Sequence, residues 1–260
     1  MFRLCRLVVL LFVGCVSLGC RELPQYTIYH TADSITIDGT LDEPSWAAAE
    51  SVSAFVFPWW EEGAQEPTEA RVLWDVRSLY VAYTVTDANI RAKHRARDSA
   101  VYEDDCVEIF VAPDPENVVN YFNFEINARG AILDQSPERT VDRSWNAEGL
   151  QVAVRHDGTL NNSRDQDHSW TIEVAIPLAA FGDYPPRLPP ENGDIWRVNL
   201  NRIHDDSNRQ YSQWSNTAVS GQGPNFHRPS LFGVMQFTTT LVGQVEDARV
   251  RSTSARKKIR

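Results

Sequence analysis

Two short segments, about a hundred residues apart, carry the side chains best suited to hold a ligand. The first, Tyr102–Val111, is a strand-like run in which carboxylates follow an aromatic residue. The second, Tyr211–Ser215, holds Trp214 among small polar residues. The nonpolar face of a sugar ring stacks on an aromatic side chain, while its hydroxyls need fixed donors and acceptors. If the two segments meet in space, they predict a sugar-binding site.

Glu108 is the strongest polar candidate in the first segment. Side chains alternate between the two faces of a strand. If Val107 and Ile109 face the core, Glu108 therefore lies on the opposite face, which it shares with Cys106 and Phe110. A carboxylate there can accept two sugar hydroxyls through charge-assisted hydrogen bonds. The alternative is a solvated charge on a sheet face.

Three further side chains extend this candidate site. Glu125 and Asn127 lie in the next strand-like run, and Gln213 precedes Trp214. Their carboxylate and amide groups can supply acceptors and donors to a ligand. A position in a turn or at a sheet edge is the alternative for the two amides.

The hydrophobic pattern is mostly of period two, which is typical of half-buried strands. Turn residues punctuate nearly every gap, and helical signal is confined to a short helix near 44–50 and one turn at 178–181. Residues 23–238 therefore predict an all-β, antiparallel β-sandwich or jelly-roll-like single domain. The predicted strands are Arg71–Asp75, Leu79–Asp87, Asp105–Val111, Tyr121–Asn127, Ala131–Gln135, Gln151–His156, Ser169–Ile176, Ile195–Ile203 and Gly233–Phe237.

Charge and composition narrow the class of partner. The chain of 260 residues has a formal net charge of −10, which argues against nucleic acid because phosphates would be repelled. Eight Trp, eight Tyr and eleven Phe favour a β fold with aromatic-lined surfaces. These features are compatible with neutral sugars or divalent cations.

Both ends of the chain differ from the central domain. Residues 1–20 combine early arginines with a short apolar run and predict a secretion signal of the lipoprotein type, with Cys20 as the lipidated residue. This predicts a membrane partner through a lipid anchor, at the outer membrane or the periplasmic face. Plain signal cleavage is the alternative. Residues 239–260 form a basic tail that predicts disorder, or else a weak attraction to anionic surfaces.

Five blocks of this sequence, taken in order, resemble family 9 carbohydrate-binding modules. They are Ile35–Trp46, Val72–Ala82, Asp105–Phe110, Trp170–Pro177, and Trp214 with Phe226–Gly233. The resemblance implies a β-sandwich that binds saccharides between two aromatic rings, here Tyr102 and Trp214. Tyr102 stands where the family has a Trp, and Glu125 stands where some relatives carry an Arg. It implies non-catalytic binding in carbohydrate catabolism.

The same resemblance implies structural calcium. Hard cations bind oxygen ligands, and Asp38, Asp42, Glu43 and Asp87 are the contributors that it suggests. The sequence contains no twelve-residue calcium-binding loop motif. Zinc is not expected, because the six histidines are scattered and show no paired spacing.

Two other functions stay open at this stage. A glycoside hydrolase needs two carboxyl groups roughly 5–10 Å apart, whereas Asp104 and Glu108 would be about 13 Å apart along one strand. A pair from different strands is the remaining possibility. A haem-binding electron-transfer domain would need axial ligands, and Met235 is the single methionine after the signal.

Overall fold

The computed structural model describes residues 22–139, 142, 144–204 and 209–244. Within them the chain forms eleven strands and one short α-helix, α1 (Pro44–Ala48). The predicted all-β class is therefore confirmed. The strands are β1 (Gln25–His30), β2 (Thr68–Trp74), β3 (Ser78–Thr86), β4 (Cys106–Ala112), β5 (Phe122–Asn127), β6 (Ile132–Gln135), β7 (Gln151–Asp157), β8 (Ser169–Pro177), β9 (Ile195–His204), β10 (Gln210–Gln213) and β11 (Gly233–Leu241).

The strands form one sheet that curls on itself. Its order is β6-β5-β4-β9-β11-β1-β2-β3-β8-β7, and β10 pairs with β9 outside this path. Every pair is antiparallel except those of β1, which runs parallel to both β11 and β2. The sheet is thus antiparallel, as predicted, except at β1. Strand β1 joins the two halves of the sheet.

The main core lies between the two halves of the curled sheet. Alternate residues of β4, Val107, Ile109 and Val111, are fully buried there against residues of β2, β3 and β8 such as Val81 and Ile172. The predicted alternation in β4 is confirmed. Burial of each such side chain contributes about 1.5–3 kcal/mol to folding.

The sheet has two outer faces, each with a smaller hydrophobic cluster. The acidic face is the outer surface of β4, β5, β9 and β10, where Cys106 and Phe110 pack with Phe232. The covered face is the outer surface of β2, β3 and β8, where Trp46 of α1 packs on Leu73 and Ala82. The acidic face carries Glu108 and Glu125, and the covered face carries Glu173.

Cys106 is the free cysteine of the described part and is fully buried. Burial, followed by the nearby Glu108 carboxyl, raises the pKa of its thiol well above the ordinary value.

The last strand extends beyond residue 238, the predicted end of the domain. Strand β11 continues to Leu241, and the N–H of Val242 donates to the carbonyl of His30. The tail predicted to start at residue 239 is therefore wrong for its first residues. The predicted signal 1–20, Cys20 and residues 245–260 lie outside the described residues. None of the described helices has the length and hydrophobicity needed to cross a membrane.

Candidate functional site

Two glutamates lie side by side in the centre of the acidic face. In the register of β4 and β5, Glu108 is directly opposite Glu125, and on the other side of β4 it is opposite Asn201 of β9. Directly opposite residues of antiparallel strands have Cβ atoms about 4.5–5.5 Å apart. Both side chains are almost completely buried. The structure thus places two predicted site residues in one group.

The amides around this pair donate to its carboxyl groups. Asn123 Nδ2 lies 2.9 Å from Glu125 Oε1, and Asn201 Nδ2 lies 3.4 Å from Glu108 Oε2. Three buried oxygens of this group then have no hydrogen-bond partner among the described residues: Glu125 Oε2, Asn123 Oδ1 and Asn201 Oδ1. An unpartnered buried polar atom is costly. The group is therefore incomplete without a ligand or water.

The electrostatics of the pair follow from burial and proximity. Burial raises the pKa of Glu125 to about 7, against an ordinary value of 4.5. Burial also raises the pKa of Glu108 well above its ordinary value, and the adjacent Glu125 raises it further. Two like charges at this separation oppose each other's ionisation. Near neutral pH the pair therefore does not carry two full negative charges.

A cleft opens above the two carboxyl groups. It has a volume of about 520 Å³ and is lined by Tyr102, Glu108, Glu125, Tyr211, Phe226 and His227, among others. This volume falls within the range of about 300–1,000 Å³ that is usual for small-ligand sites. Tyr102 is 45% exposed and lies in a 3₁₀ turn, Val101–Glu103. Tyrosine rings and carboxyl groups therefore line the same cleft.

Trp214 is not part of this cleft. Its side chain is only 3% exposed, its Nε1 donates to Ser53 Oγ at 3.0 Å, and its ring lies directly over Gly233. No side chain larger than glycine fits at Gly233, because a Cβ there would collide with the indole. The prediction that Trp214 is a sugar-stacking ring is wrong, and it is a core residue instead.

The alternation of β10 explains this correction. Tyr211 is opposite Ile203 and Gln213 is opposite Asn201, so both lie on the acidic face. Trp214 comes one residue later and packs in the main core. Sequence reasoning did not recognise β10 as a strand, and a period-two reading of 211–214 would have selected Tyr211 as the ring.

His227 is a further residue of the cleft that sequence reasoning did not assign to the site. Its Nδ1 lies 2.8 Å from the Tyr121 hydroxyl, and its ring stacks on Phe110 with centroids 4.8 Å apart. Burial, followed by the charge of Arg139, lowers the pKa of His227 to about 4. The imidazole is therefore neutral at pH 7 and adds no charge to the cleft.

Comparison with known sequences identifies the family of this domain. The sequence model described as carbohydrate-binding family 9 matches residues 44–237. The chain belongs to this family. The family is one of non-catalytic binding modules.

The family 9 assignment agrees with three individual similarities. The chain is 27% identical over 173 residues to endo-1,4-beta-xylanase A of Thermoanaerobacterium saccharolyticum, which covers 66% of this chain but only 13% of the xylanase. A putative carbohydrate-binding protein from Bacteroides uniformis superimposes with a TM-score of 0.69 and 23% identity, over 83% of this chain and all of the other. A family 9 module from Caldicellulosiruptor kristjanssonii in complex with cellotriose has a TM-score of 0.57 and 19% identity, over 82% and 94% of the two chains. These structures share the fold.

Two further predicted site residues, Gln213 and Asn127, differ in whether their side chains have unused hydrogen-bonding groups. Gln213 is fully buried on the acidic face; its Oε1 accepts from Thr217, while its Nε2 has no partner in the described residues. Asn127 donates to Asp104 and His94 and accepts from the N–H groups of Arg129 and Ala131. Its hydrogen-bonding capacity is used within the chain. The prediction that Asn127 contacts a sugar is therefore wrong.

The suggested calcium ligands do not form one group. Asp38 and Glu43 accept from the backbone N–H groups of Thr40 and Thr36, and Asp42 is exposed. Asp87 instead accepts from Trp170 Nε1 at 3.1 Å and is paired with Arg202 at 2.8 Å. The four residues therefore do not fit a common calcium site.

Within the described residues, one cluster of three ligating side chains exists: Glu66, Asp87 and His204. Arg202 lies against this cluster, with Nη2 2.8 Å from Asp87 and Nη1 3.4 Å from the neighbouring Asp105. A guanidinium already supplies the positive charge in this buried network. The arrangement is that of an internal ion-pair network rather than an oxygen cage for a hard cation.

Proposed function

We propose that this family 9 domain binds a saccharide without cleaving it, in the cleft between Tyr102 and Tyr211 and above Glu108 and Glu125. The observation that carries this proposal is the coincidence of aromatic rings with buried, incompletely bonded carboxyl and amide groups in one cleft. Rings stack on the nonpolar face of a sugar, and fixed polar groups bond to its hydroxyls. The role that follows is capture of oligosaccharides during carbohydrate catabolism.

The two carboxyl groups are arranged for binding rather than for hydrolysis. A glycoside hydrolase places its carboxyl groups on either side of the bond that it breaks. Glu108 and Glu125 instead lie beside each other on one floor. Asp104, the other carboxylate considered for catalysis, accepts from the backbone N–H groups of Lys93 and His94. We expect no release of reducing sugar from cello- or xylo-oligosaccharides.

Titration calorimetry with cello- and xylo-oligosaccharides tests the binding proposal. Tyr211→Ala removes one wall of the cleft and should weaken binding about tenfold, since a stacked ring contributes about 1–3 kcal/mol in comparable sites. Val76→Ala is the matched control, because Val76 is exposed in the turn between β2 and β3. Equal affinities of the two variants for every ligand that the unmodified chain binds would contradict the proposal.

The cellular setting is a separate part of this proposal. The relatives that bind cellotriose and glucose support a sugar as partner. The sequence features of residues 1–20 support export and a lipid anchor on Cys20, at the outer membrane or periplasmic face. Cys20→Ala should move the protein from the membrane fraction to the soluble fraction of the exporting cells. An unchanged distribution would contradict the anchor.

Structural calcium remains a prediction. Because Asp38, Asp42, Glu43 and Asp87 do not form one site, a calcium ion would need a different set of ligands. Chelation of divalent cations should lower the melting temperature if such a cation stabilises the fold. An unchanged melting temperature after chelation would contradict it.

A further inference from the structure

A second cavity adjoins the cleft on the side of Tyr211. Its volume is about 620 Å³, again within the range of about 300–1,000 Å³ that is usual for small-ligand sites. Tyr211 and Pro224 line both cavities, so the two share a wall. The rest of the second cavity is lined by residues of the segments 58–61 and 218–223, with Arg209. We call it the indole cavity, after the two tryptophans in its wall.

Trp60 gives the indole cavity an aromatic surface that is open to solvent. All eight tryptophans of the chain lie among the described residues, and Trp60 is the most exposed of them, at 40%. An indole has a large nonpolar surface whose burial stabilises a fold, and this one contributes only part of it. An indole held at the wall of a cavity is available to stack on a ligand.

Trp59 connects the indole cavity to the cleft. Its ring lies edge-on to the Tyr211 ring, with centroids 6.3 Å apart, and its centroid is 5.8 Å from that of Phe226. Both of these partners line the cleft. Trp59 Nε1 also donates to the Gln222 carbonyl at 3.3 Å, across the indole cavity's two wall segments. The aromatic lining of the cleft therefore continues through Tyr211 and Trp59 into the indole cavity.

Strand β10 holds both walls of the indole cavity in place. Val56 and Gln213 exchange backbone hydrogen bonds of 2.8 and 3.0 Å, which anchor the first wall segment to the strand. The N–H of Thr217 donates to Gln213 Oε1 at 3.1 Å. Arg228 donates to the Thr217 carbonyl at 2.7 Å and to Gln222 Oε1, which fixes the second segment. Walls that are already fixed lose little freedom when a ligand binds, and this favours affinity.

The polar lining of the indole cavity suits a neutral ligand with hydroxyl groups. Ser220 and Gln222 contribute a hydroxyl and an amide. The charged lining residues are Glu61 and Arg209, one of each sign, so the lining favours neither an anion nor a cation. Aromatic surfaces beside hydroxyl, amide and carboxylate groups are the combination that binds a sugar.

The opposite side of the cleft lacks this aromatic lining. The cavity there, of about 570 Å³, shares Tyr102, Leu133 and Gln135 with the cleft. Tyr102 is the one aromatic residue that the described part of the chain contributes to it. Asp134 in its wall is already bonded through both oxygens to Arg97, at 2.6 and 2.7 Å. An oligosaccharide bound in the cleft therefore gains ring contacts only by extending toward the indole cavity.

We propose that the indole cavity is a second saccharide subsite, in which Trp60 stacks on sugar units that follow those bound in the cleft. The inference rests on the proposed saccharide-binding function and specifies its ligand as a neutral oligosaccharide long enough to occupy both cavities. Trp60 determines the preference for chain length. Trp59 is a positioning residue, because it packs against Tyr211 and bonds to the opposite wall.

Calorimetry of the full-length chain with cello- and xylo-oligosaccharides, from the dimer to the hexamer, tests this inference. We expect the hexamer of at least one series to bind roughly tenfold more tightly than its dimer, as one further stacked ring requires. The gain should appear at the length at which the sugar chain first reaches beyond Tyr211.

Variants at Trp60 locate the gain. Trp60→Ala removes the exposed ring and should weaken hexamer binding by roughly tenfold and dimer binding much less, so that the dependence on length is lost. Trp60→Tyr keeps a stacking ring and should retain most of the gain. Val76→Ala is the matched control, because Val76 is an exposed nonpolar residue of the turn between β2 and β3. Thermal unfolding checks the fold, and Trp60→Gln replaces Trp60→Ala if the latter unfolds.

The possible outcomes separate this inference from the function on which it rests. Equal affinities of the unmodified chain for dimer and hexamer overturn the second subsite and leave saccharide binding in the cleft intact. A hexamer preference that persists in full without the Trp60 ring also overturns it, because a longer chain gains some affinity from its additional binding registers alone. Binding of none of the sugars overturns both the inference and the proposed function.

Discussion

Glu173 on the covered face and Glu125 on the acidic face are both buried carboxyl groups on the outer surface of the same curled sheet. Glu173 receives three hydrogen bonds from its own chain. They come from the N–H groups of Asp38 and Gly39 at 3.0 and 2.7 Å and from Trp46 Nε1 at 2.8 Å. Glu125 receives one, from Asn123, and its second oxygen has no partner in the described part of the chain.

The number of hydrogen bonds that each carboxyl group receives from the chain indicates whether it supports the fold or can bind a ligand. On the covered face, the loop before α1 and Trp46 of α1 supply the donors that complete Glu173. On the acidic face a cleft lies above Glu125, and no described residue donates to its second oxygen. A buried carboxylate completed by its own chain supports the fold, and one that is left incomplete beside a cleft is available to a ligand.

The largest expected effect on stability concerns Trp214 and Tyr102, the two aromatic residues predicted from the sequence to hold a sugar between them. Trp214→Ala should lower the free energy of unfolding by about 3–5 kcal/mol, because it leaves a cavity in the main core. Tyr102→Ala should change it by less than about 0.5 kcal/mol, because the ring is half exposed. Urea unfolding measures both. A small effect of Trp214→Ala would contradict its assignment to the core.

A second prediction compares the two carboxyl groups directly. Glu173→Gln places an NH₂ group among three donors and should cost about 2 kcal/mol of stability. Glu125→Gln removes a like charge from a buried pair and should leave stability at neutral pH unchanged or higher. The same urea titration compares the variants. Equal losses in both would show that the two faces do not differ as described.

The pH dependence of stability sharpens the same contrast. Between the ordinary glutamate pKa of 4.5 and the folded-state pKa of about 7, folded Glu125 holds a proton that the unfolded chain has lost. Its contribution to stability therefore falls as pH rises through this window and is constant above and below it. The unmodified chain should lose up to about 1.4 kcal/mol per pH unit relative to Glu125→Gln. Parallel pH profiles of the two proteins would contradict the raised pKa.

The smallest expected effect is a gain. Tyr102→Trp enlarges the exposed ring at the wall of the cleft and should tighten saccharide binding by about two- to threefold, which corresponds to less than about 1 kcal/mol. Tyr102→Phe is the matched control, because it keeps the ring and removes the hydroxyl. Calorimetry with one oligosaccharide compares the three proteins. Weaker binding by Tyr102→Trp would show that the cleft is closed to a larger ring.

The sequence was sufficient for the features that depend on period-two alternation. It predicted the all-β class, the strands around both glutamates, and the face on which Glu108 lies, since these follow from local hydrophobic pattern. It did not predict β1, whose partners β11 and β2 are distant in sequence, or the four-residue β10. The wrong prediction for Trp214 follows from the failure to predict β10. Whether an aromatic residue is a core or a surface residue depends on the strand that carries it.

The position of β1 has a consequence for how the molecule assembles. Residues 25–30 lie between the last strand, which ends at Leu241, and the second strand, so nearly the whole sequence separates partners that must meet. Topologies dominated by such distant contacts fold slowly, because a long loop must close before the contact is formed. A chain synthesised from its amino end cannot join its two half-sheets until that final strand has been made.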